Sequence, residues 1–574
     1  MQYDVTQLTG SKLFYENAQK WADRPRFMVL KGGQWQPVLW KDYRENVERI
    51  AHAIRSIGLS AGDKVGIYCD NRLEWIYAGF GILTSQTVVI PIYHATTVEQ
   101  GTYIVSHSDL KLLFVQNKKL LDVLFSTGDR FPELTNIVLI EGEVPAGYQG
   151  RTCFSLEEFY RAGEAYRKKH PGLLETLLNS TTGDMVAQMY YTSGTTGNPK
   201  GVPLTYENLA YSSRDWLAIN GHLIDEGGVD LHWLPTSHIF GWGEVGLGNI
   251  LGFTSYMTNP KDVLSLLSVY RPHLFFSVPL YYEKLYTMAL TSSDNEEAQL
   301  AKLRELTGGR LQFLLSGGAG LKREVKDFFL KAGLWITEGY GLTECSPTLT
   351  MNRHDAFHFD SVGKPYPSVQ IKLGGDDEIL ANGPVVFNGY YKDPEATAKC
   401  FTEDGWFRTG DCGRWLDGGY LQIIGRKKEI IVTAGGKNIP PENIERLFVD
   451  NPYIEHLVVY GDGKKFVTAL VTLAEAAVKE YLQSLGRQFD DWRGIMTCEP
   501  VRTMVEEAVE KANASLARYE TIRKFLIVPE HFTPMNGLMT PSLKVRRKEV
   551  YKRFGEALDE LYEQAARERA AAKE

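Results

Sequence analysis

No two cysteines stand in C-x-x-C spacing: Cys69, Cys153, Cys345, Cys400, Cys412 and Cys498 are scattered over 574 residues. That spacing argues against a disulfide framework and a structural zinc site, and the expected setting is the reducing cytoplasm. Also missing is any run approaching the roughly 18 consecutive apolar residues that cross a bilayer, so membrane contact is expected only as peripheral attachment at the inner face. The opening MQYDVTQLTGSKLFYENA has acidic and polar residues where a signal peptide carries a basic end and an apolar run, so export by that route is not expected. Nor is there an excess of positive charge. A net charge of -8 and a pI near 5.9 exclude a general nucleic-acid binder, and any affinity for phosphate must be local.

What is present is an ordinary globular balance, with 43% hydrophobic and 23% charged residues, in a chain too long for one core. Helical periodicity over 43–57 leads into the strand-like GDKVGIYC. The same alternation recurs in NRLEWIYAGFGILTSQ followed by TVVIPIY, and in YIVSHS followed by LKLLFVQ. This predicts an α/β body with mostly parallel strands. From about Gly363 short strand-and-turn units such as VQIKLGGDDEILANGPVVFNGYY predict a β-rich sub-lobe over 363–427. The stretch KEIIVTAGGKNIPPENIERLF then reads as strand, glycine turn, proline pair and helix, which puts a domain boundary at Lys427 or Lys428. The expected organisation is an N-terminal domain over 1–427 and a small α+β C-terminal domain over 428–574, with 555–574 an exposed helix or a frayed tail.

The sharpest local feature is YYTSGTTGNPKG at 190–201. Glycines let backbone N–H groups approach an anion, hydroxyls donate hydrogen bonds, and Lys200 adds a point charge, so the segment suits a polyphosphate. The spacing differs from G-x-x-x-x-G-K-[ST], so it is not the usual P-loop. Taken alone, such a cluster is equally an ordinary flexible turn.

Its companions decide the matter. In order, LPTSHIFGW (234–242), LLSGGAGL (314–321), EGYGLTE (338–344), WFRTGD (406–411), GRKKEIIVTAGGKNIPPENIE (425–445) and PSLKVRRKE (541–549) follow the loop. With it they resemble the adenylate-forming, AMP-binding superfamily of acyl-CoA synthetases, firefly-type luciferases and peptide-synthetase adenylation domains, and most nearly the long-chain fatty acid–CoA ligases. The resemblance implies a large N-terminal domain with a mobile C-terminal one. It also implies ATP, Mg2+ and coenzyme A as cofactors, and a reaction that turns a carboxylic acid into acyl-AMP and then acyl-CoA.

By the same resemblance, Thr192, Ser193, Gly194, Thr195, Thr196, Gly197 and Lys200 hold the phosphates. Gly317 and Gly318 lie flat against the adenine, and Glu338, Gly339, Tyr340 and Gly341 form the turn that sets Tyr340 beside it. Thr343 meets the α-phosphate and Glu344 the magnesium, a hard cation suited to carboxylate and phosphate oxygens. Asp411, which could otherwise cap a turn, takes the ribose hydroxyls, with Arg426 also on the ribose. Lys544 is the catalytic lysine. Relatives mostly have a glycine before it, where this chain has Leu543, while Arg547 keeps the usual offset of three. Lys428 is the hinge, and Gly435 and Gly436 face the thiol tunnel.

For the acid, Trp242, four residues after His238, matches the gate tryptophan of long-chain ligases, although a buried aromatic is as readily plain core. Position 241, an aspartate in amino-acid-activating relatives, is Gly241, so a substrate ammonium would lack its counter-charge. A medium- to long-chain fatty acid is the expected substrate. An aryl acid, a carrier protein as acceptor, and a silent acyl or nucleotide sensor are the alternatives. A sensor would be expected to lose Lys544, Glu344 or Asp411, and none is missing. The basic stretch KVRRKEVYKR is read as a solvated helix face.

Overall fold

The computed structural model describes residues 3–192, 198–449, 451–487, 491–533, 535–540 and 544–571. The backbone groups into two compact units, residues 1–374, 379–409 and 414–422, and residues 375–378, 410–413 and 423–574.

In the first unit the predicted helix–strand alternation appears as helices Trp40–Ser56, Leu73–Thr84 and Val98–His107 leading into strands Lys64–Tyr68, Val88–Ile92 and Leu110–Val115. Helix Leu73–Thr84 is apolar on nearly every side and buried except at Glu74, as a helix lacking a polar face must be. The strands belong to a seven-stranded sheet ordered Thr152–Ser155, Asn136–Leu139, Leu110–Val115, Lys64–Tyr68, Val88–Ile92, Val186–Thr192, Lys200–Thr205. All neighbours run parallel except the last two, which form an antiparallel hairpin. Ser155 and Glu158 cap helix Leu156–Lys169 reciprocally, Glu158 N–H donating to Ser155 Oγ at 3.1 Å and Ser155 N–H to Glu158 Oε2 at 2.8 Å.

A nine-stranded sheet completes the body, ordered Lys364–Pro365, Thr350–Met351, Ile336–Tyr340, Phe313–Ser316, Leu274–Ser277, Val229–His232, Thr254–Met257, Pro25–Lys31, Gln34–Leu39. Its middle is parallel and its outer pairs are antiparallel. Parallel sheets must be covered on both faces, and the parallel strands Leu274–Ser277 and Phe313–Ser316 are correspondingly buried along their whole length. The β-rich stretch is a four-stranded sheet ordered Gln370–Leu373, Glu378–Asn382, Phe407–Leu416, Tyr420–Arg426.

The second unit carries a three-stranded sheet, Ile454–Tyr460 antiparallel to Val467–Leu473, which is parallel to Ile522–Ile527. Pro440 caps and Pro441 begins the helix that the proline pair predicts. The tail is helical, as one of the two expected readings has it, in helix Arg547–Ala571, but it is not exposed on every side: Val550, Leu558 and Leu561 are buried with Val458 and Leu470 of the sheet. Leucine and valine at helical spacing on one side account for that face, which the abundance of Ala, Glu and Arg obscures. Among the described residues no helix is long and apolar enough to cross a membrane.

Candidate active site

Four parallel strands, Val229–His232, Leu274–Ser277, Phe313–Ser316 and Ile336–Tyr340, end on the same side, and the predicted nucleotide motifs follow their C-terminal ends. That is where open α/β sheets bind ligands. Gly317 N–H donates to Ser277 O at 3.1 Å, and a Cβ on Gly317 would lie 3.2 Å from Phe240 Cε1. The next residue, Gly318, has φ +86°, a conformation that favours glycine. On the neighbouring strand Glu338 is buried, and its carboxylate accepts from Leu321 N–H at 2.8 Å and from Lys326 Nζ at 2.8 Å. Glu338 therefore pins the glycine turn from within the protein. Tyr340 is half-buried at the strand end, paired with Thr350, while Gly339 pairs with Met351. Gly341 has no alternative, since a Cβ there would fall 1.8 Å from Pro347 O.

The phosphate-loop hairpin is paired down to Thr192 opposite Lys200. Ser193, Gly194, Thr195, Thr196 and Gly197 lie outside the described residues. Lys200 Nζ sits 4.6 Å from the centroid of the Tyr390 ring, and the Tyr390 hydroxyl donates to Glu344 Oε1 at 3.0 Å. Thr343 and Glu344 open a short turn of 3-10 helix, Thr343–Cys345, in which Glu344 is buried and Thr343 half-exposed. The structure thus brings the predicted phosphate lysine and the predicted metal carboxylate to one tyrosine. Tyr390 has no place among the sequence motifs; its only signal is an aromatic pair after Gly389 in NGYYKDP.

His238 caps helix Ile239–Leu251, its Nδ1 accepting from Phe240 N–H at 3.2 Å, and its side chain is exposed. Trp242, one turn on, is 4% exposed and fills the core, its ring centroid 4.8 Å from both Trp75 and Phe80. A Cβ on Gly79 would lie 2.6 Å from Trp242 Cη2, so only glycine admits this packing. At Gly241 a Cβ would lie 2.4 Å from Pro235 O. No side chain fits there, aspartate included.

Beneath the same helix is a buried polar group that sequence reasoning missed: Arg26, Asp230, His232 and Glu244. His232 Nδ1 and Glu244 Oε2 are 2.9 Å apart, and Arg26 donates to Asn249 Oδ1, Ser255 Oγ and Val245 O. Burial pushes both carboxyls well above the ordinary range, the Glu244 charge adding to the effect on Asp230 while Asp230 and Arg26 oppose it at Glu244, and burial pushes His232 down. The signal was there in charged residues inside the apolar runs VDLHWL and GWGEVGL.

In the second unit Asp411 is buried and pairs with Arg426 Nε at 2.8 Å. Lys544 is bonded to Thr540, whose N–H donates to Lys544 O at 2.7 Å while Lys544 N–H donates to Thr540 Oγ1 at 3.0 Å. Lys544 is exposed, yet the protein beside its amine strips away part of its water. That crowding, and then the Arg426 charge, hold the amine below its usual value against the opposing pull of Glu442, Asp411 and Glu429. Lys428 is exposed in the turn after Arg426. Gly435 and Gly436 form the exposed tip of the hairpin Ile431–Val432 and Asn438–Ile439, Gly436 at φ +72°.

Residues 14–391 match the model of a family described as AMP-binding enzyme, and residues 428–566 that of the AMP-binding enzyme C-terminal domain. The chain is 32% identical over 586 residues to the long-chain-fatty-acid–CoA ligase FadD15 of Mycobacterium tuberculosis, covering 94% of this chain and 95% of that protein. To the peroxisomal long chain acyl-CoA synthetase 7 of Arabidopsis thaliana it is 29% identical, covering 92% of this chain and 82% of the relative. The crystal structure of the anthranilate CoA ligase AuaEII with anthranoyl-AMP superposes with a TM-score of 0.76 at 19% identity, covering 97% of this chain and 98% of the other, a likeness of fold alone.

Proposed function

The chain belongs to the AMP-binding enzyme family, and on that premise we propose that it is a fatty acid–CoA ligase that forms acyl-AMP from ATP and a long-chain acid, then acyl-CoA. The observation that carries this reading is the full-length match to relatives named long-chain-fatty-acid–CoA ligases. Gly241 adds to it, because the crowding by Pro235 O leaves no room for a side chain that could answer a substrate ammonium.

In adenylation the acid carboxylate attacks the α-phosphorus and pyrophosphate leaves. Two anions meet, so rate comes from positioned positive charge. Lys200 meets the outgoing phosphates, Thr343 the α-phosphate, and Lys544 the charge that builds on the transferring group. Asp411 takes the ribose hydroxyls and Arg426 steadies it. Among the described residues no cluster of three or more His, Cys, Asp or Glu could cage a metal. A single buried carboxylate, Glu344, instead fits Mg2+, which keeps its waters and arrives on nucleotide phosphates. Held by Glu344, magnesium would supply neutralisation of phosphate charge.

For the second half-reaction the domain boundary at Lys428 acts as a hinge: the C-terminal domain turns, Lys544 withdraws, and Gly435 and Gly436 face the incoming thiol. Trp242 guards the acyl path and must leave its core position when the acid enters. The exposed Lys548, Lys552 and Arg553 form a solvated helix face, and contact with a membrane is not needed for the chemistry.

The test is pyrophosphate release with ATP, Mg2+ and a panel of acids from acetate to oleate plus benzoate and phenylalanine, each with and without coenzyme A. Sustained turnover that needs coenzyme A and favours the long acids is expected. Release of about one enzyme equivalent with no effect of coenzyme A would make a carrier protein the acceptor.

A further inference from the structure

Lys200 and Glu344 carry opposite charges and come from elements far apart in sequence, and both meet one side chain. The segment 387–391 runs between them. Phe387 N–H donates to Glu344 O at 2.8 Å, and Tyr391 N–H donates to Gly201 O at 2.9 Å. One backbone segment thus fastens the turn that bears Glu344 at one end and the strand that bears Lys200 at the other.

Tyr390 projects from that segment into the gap. Its ring face receives the Lys200 ammonium at 4.6 Å, and its hydroxyl donates to Glu344 Oε1 at 3.0 Å. Its own backbone is fixed, Tyr390 N–H donating to Thr397 Oγ1 at 2.9 Å, and the Phe387 ring lies edge-on at 4.9 Å. Tyr391 anchors the far side through its hydroxyl to Asp109 Oδ2 at 2.7 Å.

We propose that Tyr390 is a positioning residue that serves nucleotide and metal with separate parts of one side chain, its ring seating Lys200 for the phosphates and its hydroxyl orienting Glu344 for Mg2+. This rests on the reading of Lys200 and Glu344 given above. The ring holds the lysine without taking its charge, and the hydroxyl takes one carboxylate oxygen, Oε1. A hydrogen bond to the ligating carboxylate from outside the metal's own ligands orients it in metal sites generally, and an aromatic face holds an ammonium without neutralising it.

The separation is testable because Tyr390→Phe removes the hydroxyl and keeps the ring, while Tyr390→Leu removes both. Binding is measured two ways on the full chain: Mn2+ affinity by electron paramagnetic resonance with a non-hydrolysable ATP analogue present, and affinity for the same analogue in EDTA. For Tyr390→Phe, Mn2+ affinity is expected to fall about tenfold, within the usual range for loss of such an outer hydrogen bond, with metal-free nucleotide affinity unchanged. For Tyr390→Leu both should fall. Glu344→Gln and Lys200→Met are the controls. If Glu344→Gln leaves Mn2+ affinity intact, the assignment of Glu344 fails and the proposal with it. If Glu344→Gln weakens Mn2+ binding but Tyr390→Phe does not, the proposal alone is overturned. Identical effects of Phe and Leu on both affinities would also overturn it.

Discussion

Arg547 grips Glu445 with both terminal guanidinium nitrogens, Nη1 to Oε1 and Nη2 to Oε2, the latter at 2.9 Å, and its Nε lies 3.6 Å from Glu429. Both partners are largely withdrawn from water, with side chains 11% and 19% exposed. The pair fixes the first turn of the C-terminal helix, three residues after Lys544. Arg547→Ala leaves two carboxylates facing each other without their cation, at a cost of roughly 1–3 kcal/mol in stability. Acyl-adenylate formation, measured by pyrophosphate exchange, should fall at least tenfold, by the ordinary cost of misplacing a catalytic group. Arg547→Lys should recover it only in part, because an ammonium cannot reproduce the fork.

Lys544→Ala should abolish acyl-adenylate formation and spare thiolation of preformed acyl-AMP. Equal loss of both would remove the lysine from the first half-reaction. Crowding holds the amine below its ordinary value, so its positive charge is lost earlier as pH rises than the roughly 10.4 of a free lysine. Adenylation should therefore decline on the alkaline side below that pH, and Lys544→Arg should carry the decline upward.

Lys428→Pro should leave adenylation intact and block transfer to coenzyme A, since a proline locks φ at the pivot. Single-turnover acyl-AMP formation and overall acyl-CoA production separate the two. Unchanged overall turnover would refute the hinge.

Gly79→Ala puts a methyl 2.6 Å from Trp242 Cη2. Overpacking of this kind costs about 1–3 kcal/mol, which should lower the melting temperature. If Trp242 guards the acyl path, Gly79→Ala and Trp242→Ala should both alter the preference between octanoate and oleate in a competition assay. An unaltered profile in both would leave Trp242 as core alone.

The group around Glu244 predicts how stability depends on pH. Asp230 and Glu244 bind their protons more tightly folded than unfolded. Above the ordinary carboxyl pKa of about 4, the folded chain then holds protons that the unfolded chain has released, and stability falls as pH rises. His232 acts in the opposite sense, resisting protonation when folded and costing stability as pH drops through its ordinary value near 6.5. Glu244→Gln keeps a neutral group in place and should flatten the alkaline loss. Thermal unfolding compared between about pH 5.5 and 8.5 reads this directly. A wild-type curve no steeper than the variant's would contradict it.

Much of the fold is legible because its signals are local. Apolar runs such as VVIPI and LKLLFV become buried parallel strands, and the proline pair at 440–441 begins a helix. The nucleotide motifs are short contiguous strings, so their order along the chain carries them. What the sequence leaves unread is partnership across distance. Glu338 stands inside a nucleotide motif, yet its carboxylate is taken by Lys326 and Leu321, 12 and 17 residues earlier. Tyr390 stands in no motif, yet it reaches Glu344 across 46 positions. Strand pairing decides both. The packed face of the C-terminal helix is hidden for a related reason: alanine and charge dominate its composition, but three aliphatic side chains at helical spacing decide its face.

Gly241 has a consequence for how such an enzyme could change its diet. In the genetic code two of the four glycine codons lie one base from an aspartate codon, so the substitution that marks amino-acid-activating relatives is a short mutational step. In this protein it meets the Pro235 carbonyl at 2.4 Å. The step that is short in DNA is long in the folded chain, because the backbone over 234–238 would have to move first. Drift toward amino acids is thus barred by a main-chain oxygen, which no mutation of its own residue can remove.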